Sequence, residues 1–191
     1  MPVFLRHRGL PLLRPRKDGY ALPFASGSFD LVLVRHLLQA VEQPVALLRE
    51  AGRVLRPGGR AHLLVEDYAA VLFDIEEGGL VDCFAAVTPL FRRRGTDLYQ
   101  GRRAYRQLRE AGFGEVSVAP IVVDTLNTDR EVFASIFRHW RDGYAATLAG
   151  MLGKTEPELR RRFDLRIEAA LDPGRYAAWL LFAVTGVRAA S

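Results

Sequence analysis

Three places in this chain set a reactive side chain beside a predicted strand or turn. His36 follows the apolar run Asp30 to Val34 and Arg35, Glu66 and Asp67 close the run that begins at Arg60, and Asp18 opens an Asp-Gly-Tyr turn. An imidazole exchanges protons near neutral pH, so His36 is a candidate base. Glu66 and Asp67 could orient a polar molecule, and Asp18 could accept a hydrogen bond. Each has a plainer reading: a solvated or structural histidine at a helix start, a carboxylate capping the next helix, an ordinary turn aspartate. The Gly95-Thr96-Asp97 turn with Arg102 and Arg103 either reaches the same region or holds its own loop.

Other chemistries lack their residues. His7, His36, His62 and His139 are too dispersed for a metal motif, and the single Cys83 lies far in sequence from any of them. There is no Gly-x-Ser-x-Gly elbow and no Gly-Lys-Ser/Thr phosphate loop. One cysteine excludes an internal disulfide and suits a reducing cytoplasm, where we expect the protein. The longest apolar run, Tyr176 to Val184, is short of the ~20 residues of a membrane helix. A net charge of +5 would permit nucleic-acid binding, but the arginines spread along predicted helices with no stacking signature, so we expect no nucleic-acid partner.

The elements that position these residues follow from pattern. Leu22-Pro23-Phe24 is extended, because proline drives its predecessor out of the helical region. Asp30 to Val34 reads as a strand buried on both faces. A short helical segment is expected around Leu37 to Val41. A helix over Pro44 to Arg56 is expected to turn Val45, Leu48, Gly52 and Leu55 to one apolar face, flanked by Leu47, Ala51 and Val54, and Pro57-Gly58-Gly59 stops it before a strand at Arg60 to Glu66. Strand, helix and strand at this spacing imply a right-handed parallel crossover.

Tyr68 to Arg94 reads as short helices and loops, Gln100 to Gly112 as a helix, and Glu115 to Thr125 as a strand. Thr128-x-x-Glu131 and Thr155-x-x-Glu158 read as capping boxes of two further helices, and Tyr176 to Val187 as the closing strand. Their aromatic stripes are read as core packing or as the lining of a pocket. The only Gly-x-Gly, Gly112-Phe113-Gly114, reads as a helix end.

Leu22-Pro23-Phe24, Ser28-Phe29-Asp30-Leu31-Val32 and Arg53-Val54-Leu55-Arg56-Pro57-Gly58-Gly59-Arg60 together resemble class I S-adenosylmethionine-dependent methyltransferases, in the small-molecule branch that includes the ubiquinone/menaquinone-type enzymes. The resemblance is strongest over residues 18–67. It implies an α/β, Rossmann-like fold, partial in that strands four to seven of the family's 3-2-1-4-5-7-6 order are recognisable. Residues 1–17 form an irregular arm with one short strand near Val3 to Leu5, and residues 68–99 and 127–174 form helical insertions on the acceptor side of one domain.

By the same resemblance S-adenosylmethionine is the cofactor. Asp18, Gly19 and Tyr20 would lie along its adenine, Val34 and Arg35 would face its sulfonium end, and His36 and Asp67 would be the catalytic candidates beside a small-molecule acceptor. The family's glycine-rich cofactor turn has no counterpart here, since Gly9 is the only glycine before Asp18. This predicts weak cofactor binding by the chain alone, and an apolar strand edge at Leu31 to Val34 that self-associates or meets a complementing subunit. The alternative is a non-catalytic binding or partner module.

Overall fold

The computed structural model describes residues 4–5, 18–75 and 80–189. Most of the amino-terminal arm, with His7 and Gly9, and the Gly78-Gly79 pair lie outside them, as does the side chain of Cys83. The described elements are β1 (Phe4–Leu5), β2 (Phe29–Arg35), α1 (Pro44–Val54), β3 (Leu55–Phe73), α2 (Leu80–Arg93), α3 (Ala104–Glu110), β4 (Phe113–Asp124), α4 (Arg130–Leu152), α5 (Glu156–Leu171) and β5 (Ala177–Arg188). The strand order is β1-β2-β3-β5-β4. Without β1, that is the 4-5-7-6 order expected of the fold.

Two compact units share these elements. The first holds residues 1–66, 95–120 and 182–191, the second residues 67–94 and 121–181, and β3, β4 and β5 each run from one into the other. Among the described residues, Phe29, Val32, Val34, Leu55, Ala61, Leu63, Val65, Phe113 and Val184 bring the strands and strand ends of the first unit into its core. Leu47, Leu48, Ala51 and Val54 of α1, with Ala104 and Leu108 of α3, cover them.

β2 and β3 pair in parallel, as a right-handed crossover requires. Between Phe29↔Leu55 and Leu31↔Arg60, two steps on β2 oppose five on β3. Pro57-Gly58-Gly59 is therefore a bulge inside the ladder and not a turn before it, and Gly58 takes φ 75°, which only glycine adopts freely. A Cβ on Gly59 would lie 2.8 Å from the Arg56 carbonyl oxygen and 3.2 Å from that of Asp30. Neither backbone atom can swing aside, so Gly59→Ala is expected to destabilise by roughly 1–3 kcal/mol. Chemical denaturation measures this, and an unchanged midpoint would mean that the bulge relaxes.

Several expectations need correction. Leu55 opens β3 and does not sit on α1, whose buried face is Leu47, Leu48, Ala51 and Val54, while Val45 is only half-buried. β3 continues to Phe73, where loops and short helices were expected, because Tyr68 and Val71 bury as strand residues do. α2 then runs 14 residues through Pro89. Asp129, not Thr128, caps α4, its carboxylate accepting from the Glu131 and Val132 amides. The Thr155–Glu158 capping box is present, with the Thr155 amide donating to Glu158 Oε2 at 2.7 Å. The edge of β2 is not wholly bare: β1 pairs with it antiparallel at Phe4↔Leu33 and Leu5↔Val32.

In the second unit, α4 and α5 pack on each other, tied by Arg141 to Asp164 at 2.7 Å and Arg160 to Asp142 at 3.0 Å. Beneath them Phe73, Phe133, Phe137, Trp140 and Trp179 form a continuous ring cluster, with centroid spacings of 4.9 to 6.3 Å along it. Tyr68 stacks on Trp140 at 5.0 Å, and the buried Arg166 guanidinium lies 5.7 Å from the Phe73 ring. Edge-to-face and tilted contacts of this kind mark packed core.

Candidate functional site

Asp18, Gly19 and Tyr20 form one tight turn. The Asp18 carboxylate accepts the Tyr20 amide at 3.0 Å and its carbonyl accepts that of Ala21 at 3.1 Å. Gly19 lies against Leu47, whose Cδ1 a Cβ would approach to 3.1 Å. The Tyr20 hydroxyl accepts the Gln43 amide at 3.1 Å, which ties the turn to the start of α1.

A second tie left only a faint trace in the sequence. Arg53 donates to both oxygens of Glu50, at 2.7 and 2.8 Å, and also to the carbonyls of Leu22 and Phe24. Glu50 in turn accepts the Leu22 amide at 2.7 Å. The guanidinium beside it and that amide hold the Glu50 carboxyl below the usual carboxylate range. This pair fixes the Leu22-Pro23-Phe24 segment to α1 and so places the turn. The only sequence signal was an acid and a base three apart on a helix.

At the carboxyl end of β2, Val34 is buried in the core and Arg35 is exposed. The next residue, His36, adopts φ 47°, which is rare without glycine. Its amide still donates to Leu64 of β3 at 3.0 Å, so the ladder is intact at this point. The ring Nδ1 is buried and lies 2.9 Å from Glu66 Oε1. The contact is short but bent, with no acceptor straight along the Nδ1–H direction.

Glu66 Oε2 accepts from Gln39 Nε2 at 2.6 Å, and the Glu66 carbonyl accepts the Gly101 amide at 2.9 Å. The loop carrying Gly101 is braced by Arg103 on Asp97 at 2.8 Å, so these two hold their own loop. Arg102 lies over the Tyr99 ring. Buried Gln39 Oε1 and Gln100 Oε1 meet no donor among the described residues. Gln39 touches Glu66 directly, and Gln100 precedes the glycine whose amide meets the Glu66 carbonyl.

The structure thus brings His36 and Glu66 together with Gln39 beside them, a support that sequence reading missed because a glutamine in a short helix carries no motif. The Asp18–Tyr20 turn stands apart from them, joined through Gln43 at the head of α1. Asp67 belongs to the second unit, where it is buried and accepts the Ala69 amide at 3.1 Å. Gly112 has φ 92° directly after α3, as expected for a helix end and unlike a cofactor turn.

Residues 11–63 match a family model described as a methyltransferase domain. An uncharacterised 37.1 kDa protein of a Streptomyces fradiae transposon is 34% identical over 105 residues, which is 54% of this chain and 30% of that protein. The demethylmenaquinone methyltransferase of Corynebacterium efficiens is 44% identical over 55 residues, 29% of this chain and 23% of that one. The aligned part of the chain therefore spans less than a third of these relatives' length. A solved Bacillus halodurans structure named as a methyltransferase superposes with a TM-score of 0.50 at 17% identity, covering 91% of this chain and 76% of that one, and so shares the fold.

Proposed function

We propose that this chain, a member of the class I S-adenosylmethionine-dependent methyltransferase family, forms the acceptor side of a site for methyl transfer to a small molecule. The observation that carries the reading is His36, turned into left-handed backbone at the end of β2 with its ring against Glu66 at the end of β3. Open α/β sheets bind ligands at that strand edge. Strained backbone there is a mark of function.

The cofactor, S-adenosylmethionine, supplies a methyl group already activated on a sulfonium. Its donors, an ammonium, an adenine amine and two ribose hydroxyls, suit the acceptors at hand, namely the Asp18 carboxylate and the orphaned Gln39 and Gln100 oxygens. Asp18, Gly19 and Tyr20 would hold the adenine, and Val34 and Arg35, with the Val34 side chain in the core, would approach through their backbone. The chain then has two tasks, to orient the acceptor and to take its proton if it carries one. His36 takes the second, and Asp67 stands as the other catalytic candidate by its place beside Glu66 in sequence. We assign the activity to the cytoplasm; no helix among the described residues is long and apolar enough to cross a membrane.

Asp18→Ala tests the cofactor half. Where the upstream sequence or a partner completes the cofactor site, loss of a hydrogen bond to a charged acceptor should weaken S-adenosylmethionine by roughly 10- to 100-fold, measured by titration calorimetry against wild type. Equal affinities would discard Asp18. A second reading, a non-catalytic module that completes another subunit or a second copy, is favoured by the lack of a glycine-rich strand-to-helix turn among the described residues. Wild type that shows no heat with S-adenosylmethionine until a partner is added would support it.

A further inference from the structure

His36 and Glu66 do more than lie close. A left-handed non-glycine residue is strained and persists only when its surroundings hold it. Here the holding contacts are the His36 amide on Leu64 and the ring on Glu66, which is itself fixed at both ends by Gln39 and by the Gly101 amide. Gln39 can only donate through Nε2, so Glu66 Oε2 is an acceptor, and an ionised carboxylate offers Oε1 as an acceptor too. The His36 side chain is 29% exposed while Nδ1 is buried, so the exposed part of the ring is the part away from Glu66.

We propose that Glu66 is a positioning residue that keeps neutral His36 protonated on Nδ1, leaving Nε2 as a bare proton acceptor for a hydroxyl-bearing acceptor molecule. In the proton step the hydroxyl O–H bond breaks, an Nε2–H bond forms, and the oxygen keeps the electron pair. The imidazolium retains its Nδ1–H toward the Glu66 carboxylate and later releases the Nε2 proton to solvent. An uncharged amine attacks through a lone pair it already has, and a built proton acceptor would add little to it. A phenol or alcohol is the class this arrangement serves. The inference rests on the reading that the acceptor lies at this strand edge.

The test needs no methyl donor, so it fails or succeeds independently of cofactor binding. Long-range proton–nitrogen spectra of protein with labelled histidine, recorded where the ring is neutral, should show His36 with a protonated Nδ1 and an unprotonated Nε2. Glu66→Leu should move the proton to Nε2. Glu66→Gln, which keeps the shape and one acceptor oxygen, should restore part of the Nδ1–H form, with unchanged Leu64 and Gly101 amide signals as the check on folding. Added phenol should shift the Nε2 resonance of wild type and shift that of Glu66→Leu far less. A wild-type ring protonated on Nε2, a Glu66→Leu spectrum like wild type, or a Glu66→Gln spectrum like that of Glu66→Leu would overturn the positioning role. A wild-type Nε2 resonance indifferent to phenol would overturn the hydroxyl assignment.

Discussion

His36→Asn is expected to lower kcat for methyl transfer by about 10²- to 10⁴-fold, the usual contribution of a positioned base. Asparagine is the informative replacement because it tolerates the φ of 47° better than alanine does. The imidazole is removed while the backbone turn after β2 survives. Affinity for S-adenosylmethionine, measured by calorimetry, should stay within a few-fold of wild type, because the role proposed for this ring is toward the acceptor. A single-turnover assay gives the comparison, and an unchanged rate would take His36 out of the chemistry. Combined with Glu66→Leu, the loss should be far from additive, since both changes disable one unit.

The second large effect is on stability. Phe137 is fully buried in the ring cluster of the second unit, with Phe73, Phe133 and Trp140 centroids at 4.9, 5.3 and 5.3 Å. Phe137→Ala removes the ring and leaves a cavity, at a cost of about 3–5 kcal/mol. A whole domain is commonly stable by only ~5–15 kcal/mol, so this is a large share of the total. Trp140 and Trp179 adjoin the cavity, and their fluorescence reports the urea transition of that unit directly. A shift in stability below about 1 kcal/mol would mean that the cluster collapses onto the gap or is not the core it resembles.

What the sequence disclosed depended on how local the deciding physics was. The strand at Asp30 to Val34, the helix start at Pro44 and the Thr155 cap are set by a few neighbouring residues, and all are found where expected. The buried residues of α1 lie within the face and flanks expected of it, but its end was misjudged because Leu55 leaves the helix for the ladder with Phe29, a pairing between residues 26 positions apart. Asp129 displaced Thr128 as a cap, since either side chain can accept from the first amides of a helix and only the backbone path chooses. At the site, His36 stood out by type and position. Its left-handed backbone and the Glu66–Gln39 support depend on where β3 and the Gly101 loop lie, and no spacing rule encodes that.

Residues 182–188 of β5 lie between β3 and β4, antiparallel to β3, since Arg188 reaches Leu55 while Thr185 meets His62 at 2.7 Å. The inner strand of the first unit thus leaves the ribosome after both of its neighbours, and it must insert between partners made well over a hundred and about seventy residues earlier. Until then β3 has one neighbour, β2, and its other edge stands open to anything that can pair with it. Long-range closure of this kind is slow, so the nascent chain has a waiting period that the finished protein does not. During translation, chaperone demand should concentrate on that interval and end when Val184 fills its place in the core.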